Sequence, residues 1–310
     1  MSTIATVAPR AAGIAPRRWM AAHPLLAYFL IAFGVVWLAL LPVVLSRNGL
    51  GILPFGISDG LFVVLFIGST LLGPTGGAFA VTAAAEGRAG VGRLLRRYVQ
   101  WRVGPQWYAI ALFGYIALHL VAAGALLGAG PLLAMLAQWP LLLSSYLPAL
   151  LMMIIFPALL EEPGWRGFAL PRLQARYGPL AGTLMLGVLH GLWHLPVYTF
   201  VSGPAAMGPF SIGHVASNTL FIVLLTVIWA WVFNNASGSI LIAILLHAAS
   251  NATGNFFSAL LPTPLPASFA SEFQLLMFGL YFAAALAIVL ATRGRLGYTG
   301  ARQSPAAVVE

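Results

Sequence analysis

Residues 148–168, PALLMMIIFPALLEEPGWRGF, stay apolar as far as Leu160 and then place Glu161, Glu162 and Arg166 within less than two helical turns. The whole chain has only six Asp and Glu residues among 310, so two adjacent glutamates at the end of an apolar run are a deliberate expense. A helix needs roughly 20 apolar residues to cross a hydrocarbon core. Ionisable side chains near that core are costly unless they face a partner or a polar cavity. This one stretch therefore predicts both a membrane helix and a polar site at its end.

The rest of the chain agrees. It is 61% hydrophobic and 7% charged, with a mean hydropathy of +0.95, whereas a soluble domain is about a quarter charged. Eight apolar runs read as spans, at about 25–46, 58–84, 107–130, 141–161, 179–201, 215–234, 239–260 and 274–292. The second contains LLGPTGGAF, whose Pro74 and glycines predict a kink or break. The first is too long and lies too far into the chain for a cleaved signal peptide, and is read as a retained helix. The fold class is thus an all-α integral membrane protein of about eight helices around a polar cavity open to the cytoplasm. The domain organisation expected is a flexible tail at 1–20, a polytopic membrane domain at 21–295 with its catalytic core at about 141–260, and a second flexible tail at 296–310.

The net charge of +9 is carried by arginine alone, and its placement argues for topology rather than for nucleic acid. Arg10, Arg17 and Arg18 precede the first span; Arg88, Arg93, Arg96, Arg97 and Arg102 follow the second; Arg166, Arg172 and Arg176 follow the fourth; Arg293, Arg295 and Arg302 follow the eighth. Only Arg47 falls on the other side. This alternation predicts a multi-pass plasma-membrane protein with both termini cytoplasmic, the positive side touching anionic headgroups. The connection 85–106 interleaves arginine with Leu, Val, Tyr and Trp and reads as an interfacial amphipathic helix. With no lysine, Schiff-base and lysine-base chemistry are excluded; with no cysteine, so are thiol catalysis, thiolate metal sites and disulfides.

Chemistry must then come from the intramembrane carboxylates, imidazoles and amides. Glu162 and Arg166 are four apart and predict an ion pair across one turn, which leaves Glu161, about 100° further round, facing the bundle interior. His190 and His194 in LGVLHGLWHLP, and His247 and Asn251 in ILLHAASNATGN, are also spaced by four, each pair on one helix face. A carboxylate, imidazoles and a neutral amide are what is needed to activate a water and to stabilise an oxyanion. Each pair alone also reads as helix–helix hydrogen bonding, and the Glu162–Arg166 pair alone as a juxtamembrane clamp. His119 and His214 have no matched partner nearby in sequence and read as helix-interface or loop histidines.

Taken together, EEPGWR, HGLWH and HAASN resemble the EExxxR, FxxxH and HxxxN/D motifs of the CPBP family of intramembrane proteases, the type II CAAX prenyl endopeptidase and bacteriocin-processing group. The resemblance covers about 155–255. It implies that Glu161 with His194 activates the attacking water, that His247 with Asn251 stabilises the oxyanion, and that Glu162 and Arg166 organise the site. The chain departs from the family where His190 takes the place of the usual Phe, and this imidazole is expected to enlarge or organise the polar site. Cofactor use stays open: family members are described as metalloproteases or as metal-free glutamate-type proteases. Glu161, His194 and His247 offer three zinc ligands, but HExxH is absent.

The expected function is an endopeptidase acting on a peptide or membrane-protein substrate in the bilayer, with no nucleic-acid partner. Two other classes fit the same residues: a proton-coupled transporter, and a non-catalytic membrane scaffold or immunity-type family member. Against transport, the polar blocks crowd into 155–255 with no counterpart in the first half. The arginine-rich, lysine-free composition points to a high-GC bacterial genome, for which an unprenylated substrate is expected.

Overall fold

A computed structural model describes residues 15–200, 210–262 and 264–300; their regular secondary structure is all helical, with no strand among them. The helices are α1 (Ala15–Ala22), α2 (Pro24–Leu45), α3 (Asp59–Thr70), α4 (Gly77–Tyr98), α5 (Pro105–Leu127), α6 (Ala129–Ala137) and α7 (Leu147–Met153). They continue with α8 (Leu159–Glu162), α9 (Leu170–Tyr177), α10 (Pro179–Trp193), α11 (Leu195–Tyr198), α12 (Ile212–Asn235), α13 (Ile240–Leu260) and α14 (Phe269–Ala291). Among the described residues seven helical stretches are long and apolar enough to cross a membrane, and α10 is a shorter apolar helix beside them. Backbone groups in hydrocarbon have no water to bond, which is why the spanning chain is helical.

Three boundaries differ from those the hydropathy predicts. The second and fourth spans run on as Asp59–Tyr98 and Leu142–Tyr177: helical turns resume past a kink at Gly87 in the one, and past a kink at Phe156 and through the π-helical turn Pro163–Ala169 in the other. The fifth stops at Trp193 rather than near 201, since Pro196 follows and a separate short helix begins at Leu195. Of the stretch 85–106, expected as an interfacial amphipathic helix, residues 85–98 belong to α4, which turns at Gly87 where φ is +65°. Residues 15–20, expected in a flexible tail, belong to α1. Of the expected tail 296–310, residues 296–300 are described and Leu296 is fully buried; residues 1–14 and 301–310 lie outside the described residues.

Close packing sets the helix positions around the later site. Gly187 and Gly191 of α10 lie so near α12 that an added Cβ would meet Val223 Cα at 2.8 Å and Thr219 Cγ2 at 2.7 Å. This is small-residue packing of the kind that holds membrane helices together. Gly164 is tighter still, since a Cβ there would fall 2.5 Å from the Tyr28 hydroxyl and 2.6 Å from the Pro74 carbonyl oxygen. Thr75 Oγ1 donates to Leu160 O at 2.6 Å. The broken turn at 71–76 is therefore pressed directly against the residues that carry the glutamates.

Candidate active site

Glu161 and Glu162 end α8 and are almost completely buried, at 2% and 0% exposure. The two point into different networks. Glu161 Oε2 accepts from Trp165 Nε1 at 3.3 Å and meets His190 Nε2 at 3.0 Å. Among the described residues no hydrogen bond reaches its other oxygen. His194 Nδ1 lies 2.9 Å from the His190 carbonyl oxygen. A carbonyl only accepts, so Nδ1 carries the proton and Nε2 of the neutral ring presents a lone pair. His190 bonds Glu161 through Nε2, and its Nδ1 is buried without a hydrogen-bond partner among the described residues.

Glu162 belongs to the second network. Its Oε1 accepts from Arg166 NH1 at 2.9 Å and from His247 Nδ1 at 2.8 Å. The Arg166 guanidinium lies 4.4 Å from the Trp229 ring centroid, and the His247 ring meets that same indole at 5.0 Å, tilted by 40°. Trp229 Nε1 in turn donates to the Tyr115 hydroxyl. Thus α12 and α5 brace an ion pair on α8 that α13 completes. Glu162 Oε2 and Arg166 Nε and NH2 are buried without hydrogen-bond partners among the described residues, leaving polar capacity for water or substrate groups.

The residues singled out in the sequence are placed as follows. Glu161, His190 and His194 converge, each offering a ligand-type atom within 4.8 Å of the others. Glu162, Arg166 and His247 form the neighbouring ion-pair triad. Asn251 lies one turn beyond His247 on α13, is exposed, and makes no hydrogen bond among the described residues. His119 and His214 stand apart, the first bonded to Tyr115 O at 2.8 Å and packed on Phe257, the second 2.9 Å from the Asn218 amide.

Sequence reasoning missed the aromatic frame. Trp165 lies 4.6 Å from the His190 ring and 5.6 Å from Trp193, and Tyr28 packs edge-on against it at 5.8 Å. For Trp165 a signal was present, because it stands four residues after Glu161 inside EEPGWR. Trp229, Tyr115 and Tyr28 carry no such signal; they arrive from distant helices.

Residues 143–253 match a sequence model described as type II CAAX prenyl endopeptidase Rce1-like. That segment contains both glutamates, Arg166, His190, His194, His247 and Asn251. Over this segment the chain is similar to the Rce1-like family. A relative named CAAX prenyl protease 2, from Methanococcus maripaludis, is 31% identical over 110 residues, covering 35% of this chain and 40% of the relative. The chain thus spans about two-fifths of that relative's length.

Glu161, His190 and His194 supply one carboxylate and two imidazoles, the mixture that a zinc ion takes with a fourth position left open. His247, which the resemblance offered as a third ligand, is outside this set and is bonded to Glu162. If a zinc were held, Glu161, His190 and His194 would hold it, and it would supply Lewis-acid polarisation.

Proposed function

We propose that the protein is an intramembrane endopeptidase that hydrolyses a peptide bond with a water activated between Glu161 and His194. The observation that carries this reading is the buried convergence of Glu161, His190 and His194 within a segment that matches the type II CAAX prenyl endopeptidases. His190 and Trp165 hold Glu161 through one oxygen, so the other is the one that takes the water proton. His194 Nε2 accepts the second O–H of the water and aims its lone pair at the scissile carbonyl carbon. The C–O bond forms as the proton moves to Glu161. Glu161 then returns that proton to the leaving nitrogen as the C–N bond breaks, and the products are one new carboxyl and one new amine.

His247 and Asn251 are assigned to the oxyanion. Asn251 donates from its amide. His247, whose Nδ1 is held 2.8 Å from Glu162 Oε1, is assigned to the oxyanion through its other ring nitrogen, Nε2. Glu162 and Arg166 orient His247 and do not touch the reacting atoms.

The substrate class assigned is a peptide or membrane protein, with unprenylated substrates expected to be cut. Reconstituted protein should cleave at least one unprenylated peptide from a panel that also contains a farnesylated C-terminal peptide. Efficient trimming of the farnesylated peptide alone would overturn the substrate expectation while leaving the hydrolytic site in place. A chelator lane reads metal dependence separately.

The arginine distribution supports a plasma-membrane protein with the residues before α1 and after α14 on the cytoplasmic side. Because the chain lacks cysteine, Arg96→Cys and Arg47→Cys each create a single reporter. A membrane-impermeant maleimide added to intact cells should label the Arg47→Cys protein and leave Arg96→Cys unlabelled; the reverse pattern would invert the topology.

A further inference from the structure

Away from the glutamates, α1 and α4 enclose an open groove of about 490 Å³, walled by Met20, Ala80, Ala84 and Val91, with Arg17 and Arg88 at its rim. The other arginines of α4 are engaged. Arg93 pairs with Glu86 at 2.7 Å, Arg96 donates to Gly92 O, and Arg97 donates to Gly167 O and Gly238 O. Arg17 and Arg88 are both exposed and make no hydrogen bond or ion pair among the described residues. Two unneutralised guanidinium groups thus flank one apolar groove. Their position along the chain is specific. Ahead of Glu86 and Gly87, α4 reads AFAVTAAA; beyond them, RAGVGRLLRR. The kink at Gly87 therefore marks the level at which the chain leaves hydrocarbon, and Trp19 on α1, 40% exposed, is the aromatic type found at that level.

We infer that this groove binds an anionic phospholipid of the surrounding membrane, its phosphate between Arg17 and Arg88 and an acyl chain along Ala80, Ala84 and Met20. The charge of the rim selects an anion, the small apolar wall leaves room for a hydrocarbon chain, and the two occur together at headgroup depth. A phosphate accepts from guanidinium in forked geometry. The groove adjoins a contact that leads toward the glutamates, since Glu86, next to the kink, also pairs with Arg172 of α9. The inference does not depend on the hydrolytic reading, because lipid retention can be measured without any substrate.

The test is native mass spectrometry of the purified full chain after exchange into equal phosphatidylglycerol and phosphatidylcholine. Wild type should retain phosphatidylglycerol preferentially. Arg17→Gln with Arg88→Gln should lower that retention about five- to thirtyfold, from about 1 kcal/mol for each arginine near the surface. Arg102→Gln, whose guanidinium lies over Trp101, should leave it unchanged. Ala84→Leu, which fills the groove and keeps both charges, should also lower it, and it carries the test if the double variant proves polydisperse. Equal retention of the two lipids by wild type would overturn the inference. So would an unaffected Ala84→Leu, or full displacement of the lipid by millimolar inorganic phosphate, which would make the groove a site for free anions.

Discussion

Replacing Glu161 by Gln is expected to lower kcat about 10²- to 10⁴-fold, the contribution of a positioned general base, with the fold intact. Glutamine keeps the shape and can still accept from Trp165 and His190, which meet the carboxylate at 3.3 and 3.0 Å. It cannot take a proton from water at neutral pH. His194→Ala should cost a similar factor. The double variant should be scarcely slower than either single one, because groups acting as a unit are strongly non-additive. Additive losses would separate the two residues into independent roles. His190→Phe, which restores the family's usual residue, removes one donor from Glu161 and should cost less than either.

The second large effect is on stability. Glu162 and Arg166 are 0% and 1% exposed and pair at 2.9 Å. Removing one partner of such a pair strands a buried charge, at about 3–5 kcal/mol in protein interiors. Arg166→Met should therefore melt well below wild type in detergent, and should also free the Glu162–His247 contact from its brace on Trp229. Glu162→Leu combined with Arg166→Met should recover much of the melting temperature, since an apolar pair of similar volume removes the stranded charge. Activity should stay low, because His247 then lacks its acceptor. A single Arg166→Met variant that melts like wild type would show that the pair is not a structural brace.

Much of this architecture was legible in the sequence, and the limits have physical causes. Apolar run length located the spans, because a bilayer imposes one length on every crossing helix. Run length carries no information about whether helical turns stop or resume past a kink or a proline, so Asp59–Tyr98 and Leu142–Tyr177 extend beyond the expected boundaries. The Glu162–Arg166 pair was readable because both residues share one helix. The Glu161–His190 contact joins residues 29 apart on different helices, and spacing within a helix cannot fix how two helices are rotated against each other. The same limit explains why the sequence offered His247 beside Glu161, whereas the structure bonds it to Glu162. Trp229 and Tyr115 were invisible for a simpler reason: an aromatic residue in an apolar helix looks like any other lipid-facing or core position until its neighbours are known.

The most direct test of the account is peptide hydrolysis in ¹⁸O-water by protein reconstituted in liposomes, with products read by mass spectrometry for wild type and Glu161→Gln side by side. The account predicts that wild type yields fragments ending in a newly formed, ¹⁸O-labelled carboxyl and that the equally well-folded Glu161→Gln protein yields none above background. Cleavage at the wild-type rate by Glu161→Gln would contradict a Glu161-activated water and require a different hydrolytic group.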